Sequence, residues 1–231
     1  YATIKNATVG ILNEASPNAA SPSLTLTNSQ IYNASAVGLL NRFTSVEASN
    51  TVINNCGQFS MLVQLGGIYN FTHCTFTNYW TQSFRDTPAV FLDNTLQTQE
   101  TLLVGDLAQA NFTNCIVYGN QGEEIGFNQD NDATFNFKFT NSQIRFDDVF
   151  GDFIGEPLYD FTNVNLYQDI IRGEEPDFLL PTENMLQVGE NTAGNGFGLQ
   201  SAANAVPTDI IGTNRTLAPD IGAYESILFP E

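Results

Sequence analysis

The chain is poor in positive charge. Seven Lys and Arg stand against 25 Asp and Glu, with one His, for a formal net charge of −18 over 231 residues. That balance repels phosphate backbones and anionic lipid, so neither nucleic acid nor a membrane surface is an expected partner. It fits solubility in a salty or extracellular medium. A sharper alternative is divalent-cation binding, which leaves Ca²⁺ as the one ion to consider and no other cofactor. A single histidine, His73, excludes a two-His metal site. A Ser-His-Asp arrangement would have to be built on that one residue. Three cysteines give no disulfide framework. No apolar run reaches the roughly 18 residues of a membrane-spanning helix. Charged residues make up only 14% of the chain, and with 18 Phe and 8 Tyr it lacks the composition of a disordered one.

What replaces charge is Asn and Thr, and they are periodic. The stretch Leu24-Thr-Leu-Thr-Asn28-Ser-Gln-Ile31 has apolar residues four and two positions before Asn28 and three after it, with a small residue directly after. The same pattern can be laid on Asn6, Asn28, Asn50, His73, Asn94, Asn114, Asn141 and Asn163, at gaps of 22, 22, 23, 21, 20, 27 and 22 residues. Two before the centre stand Ile4, Leu26, Ala48, Phe71, Leu92, Phe112, Phe139 and Phe161. A period near 22 signals stacked repeats.

Within a copy, period-two alternation points one face inward before the asparagine. The inward parity then switches at the asparagine itself. A bend there explains the switch, because Asn is the non-glycine residue that best tolerates positive φ. The pattern therefore predicts an all-β parallel β-helix, a solenoid of about eight coils of about 22 residues. Its stacked asparagines (with His73 as a substitute) would hydrogen-bond along the axis as a structural ladder. Residues 1–172 are read as the coils and 173–231 as a capping tail. Cys74 and Cys115 share the column after the centre. With the Asn94 coil between them they would lie about 10 Å apart, too far for a bridge. The chain enters the repeat at once from Tyr1, which predicts further coils or a cap upstream.

Two segments, 79–87 and 97–109, lack a clear third strand and read as loops leaving the stack, where binding usually sits. Tyr79, Trp80, Phe84 and Arg85 form the densest aromatic-basic group and are candidate contacts for sugar rings; covering the side of the stack is the plainer reading.

Beyond Gly173 the period breaks. Ten later apolar residues, among them Ile221 and Tyr224, require the tail to cover the end and side of the stack. Asp209 and Asp220 are expected to fix turns, and Arg215 to pair with a carboxylate. The run Asp209-Ile-Ile-Gly212…Arg215…Pro219-Asp-Ile-Gly-Ala-Tyr-Glu225 resembles the terminal motif of the choice-of-anchor family, surface proteins of Bacteroidetes-type bacteria with right-handed parallel β-helix repeats. Phe71–Trp80 and Asn114–Asn120 are similar to coils of the same proteins. The resemblance implies the right hand, in keeping with the rule for parallel crossovers. It also implies export and cell-surface attachment, and it carries no chemistry.

Catalytic candidates are few. Asp147, Asp148 and Asp152 could supply a carboxylate pair for glycoside hydrolysis or stand as a solvated loop. Lys138 and Arg145 straddle one bend, Lys5 lies in the first copy, and none sits in a lyase motif. Asp130-Asn-Asp132 has the oxygen spacing of a calcium loop without its glycine and distal Glu. The Asn-x-Ser/Thr triplets at Asn6, Asn33, Asn70, Asn111 and Asn214 are by-products of the repeat. The reading is an exported, surface-associated bacterial module that binds or adheres without catalysis, with polysaccharide as the partner. The alternative is a lyase or glycoside hydrolase acting on acidic polysaccharide.

Overall fold

A computed structural model describes residues 2–229; Tyr1, Pro230 and Glu231 lie outside the described residues. In chain order the strands are β1 Thr3–Lys5, β2 Val9–Glu14, β3 Leu24–Ala34, β4 Val37–Cys56, β5 Met61–Thr72, β6 Thr75–Asn78, β7 Val90–Asp93 and β8 Thr95–Gln97. There follow β9 Leu102–Val104, β10 Leu107–Thr113, β11 Ile116–Gly119, β12 Ile125–Asn128, β13 Lys138–Ile144, β14 Tyr167–Ile171, β15 Phe178–Leu180, the helix α1 Gln200–Ala205 and, before that helix, β16 Met185–Val188.

The expected right-handed solenoid of about eight regular coils is corrected. Twelve strands join one parallel sheet, and its pairing closes on itself. β4 pairs both β5 and β6, β6 pairs β11, β11 pairs β13, β13 pairs β10, and β10 returns to β5. This six-strand parallel circuit is a closed, barrel-like core. β1, β2 and β3 extend it from β4, β7 and β12 from β5, and β14 from β13. Two small antiparallel pairs, β8–β9 and β15–β16, stand apart.

Three of the eight copies fail, each for a physical reason. In the Asn94 copy, Val90–Leu92 pair with Met61–Val63 and the chain then turns into the β8–β9 hairpin. β10 therefore pairs directly with β5, Phe112 beside Phe71. In the Asn163 copy, Asp160 and Asn163 spend their side chains on local turns: Thr162 N–H and hydroxyl donate to Asp160 Oδ1, and Asn165 N–H donates to Asn163 Oδ1. Such Asx turns compete with strand pairing. Phe161 is left off the ladder, and Tyr167 takes the place beside Phe139. In the first copy, Ile4 pairs with Ile31 rather than Leu26, which sets Asn6 beside Asn33.

The bends themselves are real. Asn28, Asn50, His73, Asn114 and Asn141 have φ between 44° and 54°, and Asp169 (φ 54°), next to the Thr140–Gln168 pair, continues their column. A second column of bends holds Asn6, Asn33 and Asn55, and a third Phe43 and Leu65.

Inside, apolar side chains stack from strand to strand. Phe71 and Phe112 lie 5.0 Å apart by ring centroid, Phe112 and Phe139 4.4 Å, and Phe139 and Tyr167 5.9 Å. Because the Asn94 copy does not intervene, Cys74 and Cys115 sit on adjacent strand ends, next to the Thr75–Ile116 pair, both buried and free. That places them one strand spacing apart, about 4.8 Å, instead of two.

The tail lies along the side of the core. Its Leu186, Val188, Ile210, Ile221, Ala223 and Tyr224 pack against Val52, Ile116 and Tyr118. Tyr224 reaches as far as β3, where its hydroxyl accepts from Gln30 Nε2 at 2.8 Å.

Candidate functional site

The asparagine column serves as a mooring line for the tail more than as a ladder. Strand-to-strand contacts occur between Asn50 Nδ2 and Asn28 Oδ1 (2.9 Å) and between Asn114 Nδ2 and His73 Nε2 (3.0 Å). The remaining bonds go elsewhere. Asn50 Nδ2 also donates to Thr208 O, Asn141 Nδ2 to Phe197 O, and Asn94 exchanges two bonds with the Asp130 backbone. The second column is moored likewise: Asn55 donates to Thr182 O and Asn184 Oδ1, and its neighbour Asn54 to Pro181 O.

His73 is buried beneath the tail, with Arg215 Nη1 against Nδ1. Burial, and then the Arg215 charge, push its pKa down to about 3, so the ring is neutral and sealed from substrate. Arg215 is itself fully buried; it donates to Gly222 O and Ala223 O and lies 3.5 Å from Glu225. Asp209 accepts from Ile211, Thr213 and Glu225 N–H, and Asp220 from Gly196 and Ser226 N–H. These acids fasten turns of the tail.

The aromatic-basic group at 79–85 is not brought together. Arg85 is buried in a bidentate pair with Glu124 and donates also to the Asn78 and Thr87 carbonyls and to Asn120 Oδ1. Ala89 and Gln121 N–H complete the Glu124 carboxylate. Arg85 is thus corrected from ligand contact to staple of its loop. Phe84 points away at 85% exposure, Trp80 is half-buried with its Nε1 on Ser83, and only Tyr79 lines a cavity.

A set of adjoining cavities lies where β11, β13 and β14 end. Three lobes share walls and form one groove. The first, about 780 Å³, is lined by Phe146, Phe153, Tyr159, Phe161 and Arg172 with Asp147, Asp148, Glu156 and Asp160. A second, about 400 Å³, shares Phe146, Asp147 and Arg172 with it. A third, about 460 Å³, shares Tyr118, Arg145 and Glu175 with the second and ends at Tyr79 and Phe178.

Strand ends position these walls. β11 ends just beyond Tyr118 and β13 just before Arg145, whose N–H donates to Val117 O, so the two side chains lie on neighbouring strands. The Arg145 guanidinium sits 5.2 Å over the Tyr118 ring and 3.3 Å from its hydroxyl. Arg172 follows β14 and sits 4.2 Å over the Phe161 ring. The floor is an aromatic cluster in which Phe146 lies 5.1 Å from both Tyr159 and Phe161.

Among the acids here, Asp148 is committed to its loop, accepting from Asp152 and Phe153 N–H. Glu123 is raised above the usual carboxylate range, first by burial and then by Asp148, Asp147 and Asp152. Asp130 caps a turn through Asp132 N–H, and Lys138 Nζ donates to Gln168 Oε1. Among the described residues, no three His, Cys, Asp or Glu converge in a way that could hold a metal, and no helix is long and apolar enough to cross a membrane.

The sequence reading missed Arg172 and Tyr118 and saw Arg145 only as straddling a bend. A signal existed: Ile144-Arg145 and Ile171-Arg172 each place a rare cation directly after a strand. Compared with known protein families, curated proteins and solved structures, the chain matches none.

Proposed function

We propose that the chain is a non-catalytic glycan-binding or adhesion module of an exported bacterial surface protein, and that the groove is its binding face. The observation that carries this reading is the groove's wall. Phe, Tyr and Arg side chains line three adjoining lobes together with carboxylates. Sugar rings pack their C–H faces on such aromatic surfaces and bond their hydroxyls to such acids. The family-like terminal motif supports export and surface location.

Binding rather than catalysis is favoured because the reactive groups are otherwise engaged. His73 lies under the tail, and Asp148 holds its own loop.

A glycan array read with the wild type and with Tyr118→Ala tests the proposal. Retention of a defined glycan class, lost in the variant and with no shortened or unsaturated product released, supports it. Product release would establish the enzymatic alternative, and an array without any retained glycan would refute both.

A further inference from the structure

In a chain with seven Lys and Arg, the fate of each cation is informative. Arg42, Arg85 and Arg215 are spent on Glu14, Glu124 and Glu225. Among the described residues, Arg145 and Arg172 come within ion-pair distance of no carboxylate, despite 25 acids in the sequence. Both line the middle lobe of the groove, and each lies over an aromatic ring that fixes its plane. Arg145 Nε is buried without a hydrogen-bond partner. Among the described residues its guanidinium donates one hydrogen bond, from Nη1 to the Tyr118 hydroxyl at 3.3 Å, so the terminal nitrogens keep donors for an incoming acceptor.

We infer that Arg145 and Arg172 form a subsite for the carboxylate of a single uronic acid within an otherwise neutral glycan. This rests on the glycan-binding reading and narrows it. The guanidinium fork matches a planar carboxylate in two parallel bonds, which an ammonium would not do. The neighbouring walls set the rest of the ligand. Asp147 and Glu175 line the same lobe. They accept hydroxyl protons from neutral sugars and repel further anions, so an unbroken polyuronate is disfavoured.

The test is calorimetric titration of the whole chain with three oligosaccharides of one linkage. One carries a single uronate, the second is its carboxyl-reduced neutral counterpart, and the third is uronate throughout. The single-uronate ligand should bind about 10- to 100-fold more tightly than the neutral one, and adding salt should shrink that margin. Arg172→Gln, on the exposed side of the groove, and Arg145→Lys should each abolish most of the preference, read as the ratio of uronate to neutral-sugar affinity within the same variant. Equal binding of the uronate and its reduced form, or a preference that survives in Arg172→Gln, overturns the subsite and leaves the glycan module intact. Tightest binding of the all-uronate chain overturns the single-uronate assignment. Binding of none of the three, together with an empty glycan array, removes the parent reading as well.

Discussion

Asn114 and Leu199 hold each other reciprocally. Leu199 N–H donates to Asn114 Oδ1 at 2.7 Å, and Asn114 Nδ2 donates back to Leu199 O at 3.2 Å. The asparagine that bends the core at φ 54° is thereby also the point at which the tail is tied on. Asn114→Ala removes both bonds and the contact with His73 Nε2, and leaves a β-carbon without side-chain compensation at positive φ. Urea unfolding should show a loss of about 1–3 kcal/mol for the bonds and about 1 kcal/mol or more for the backbone. Asn114→Gly should recover the backbone part only. Equal stability of the Ala variant and the wild type would contradict the mooring role.

The interior stack assigns different weights to two phenylalanines that the repeat pattern treats alike. Phe139 is fully buried between Phe112 and Tyr167, so Phe139→Ala should cost about 3–5 kcal/mol. Phe161 is half-buried and off the ladder; its replacement by Ala should cost less, about 1–2 kcal/mol. Reversed magnitudes in denaturant titrations would mean that Phe161 and not Tyr167 stands on the ladder.

Arg85 and Glu124 form a buried pair whose loss strands a charge. Arg85→Ala should destabilise by about 3–5 kcal/mol and loosen residues 79–88 in hydrogen exchange. Phe84→Ser, one position away and exposed, should stay within about 0.5 kcal/mol of wild type. A near-neutral Arg85→Ala would return that side chain to the surface.

Two groups under the tail pull stability in opposite directions with pH. His73 is depressed from 6.5 to about 3, mainly by burial, so the unfolded chain binds more protons between those values and stability rises with pH across that window. Glu225 is raised from 4.5 to about 7, again mainly by burial. Here the folded chain binds more protons, so stability falls as pH climbs from 4.5 to 7. His73→Asn should leave the falling limb over that range, and Glu225→Gln should leave the rising one from about pH 3 to 6.5. Parallel pH profiles in the two variants would show that neither group titrates as its burial requires.

Much of the local order was legible in the sequence. From Leu24 to Ile144 the alternation, the parity switch and the bends at Asn28, Asn50, His73, Asn114 and Asn141 read directly, because each rests on neighbours two or three residues away. Pairing partners did not read, because pairing is decided at a distance. Asn94 fits the local template as well as Asn114 does, yet the hairpin after it takes the chain out of the core. Asn6 fits too, but it stands beside Asn33, and one asparagine in a bend looks like another. The groove was the least legible. Arg145 and Arg172 are 27 residues apart in sequence, and that neither has an acidic partner among the described residues becomes visible only once those residues are placed in space.

The mooring of the tail also sets the order in which the molecule can be completed. Gln30 meets Tyr224 across 194 residues of chain, and Asn50 meets Thr208 across 158. Contacts of that span close last and make folding slow, because the loop entropy is spent before the contacts form. In the finished molecule the relation runs backwards. Hydrogen exchange is expected to find residues 173–229, with their many turns and few strand pairs, opening before the aromatic interior.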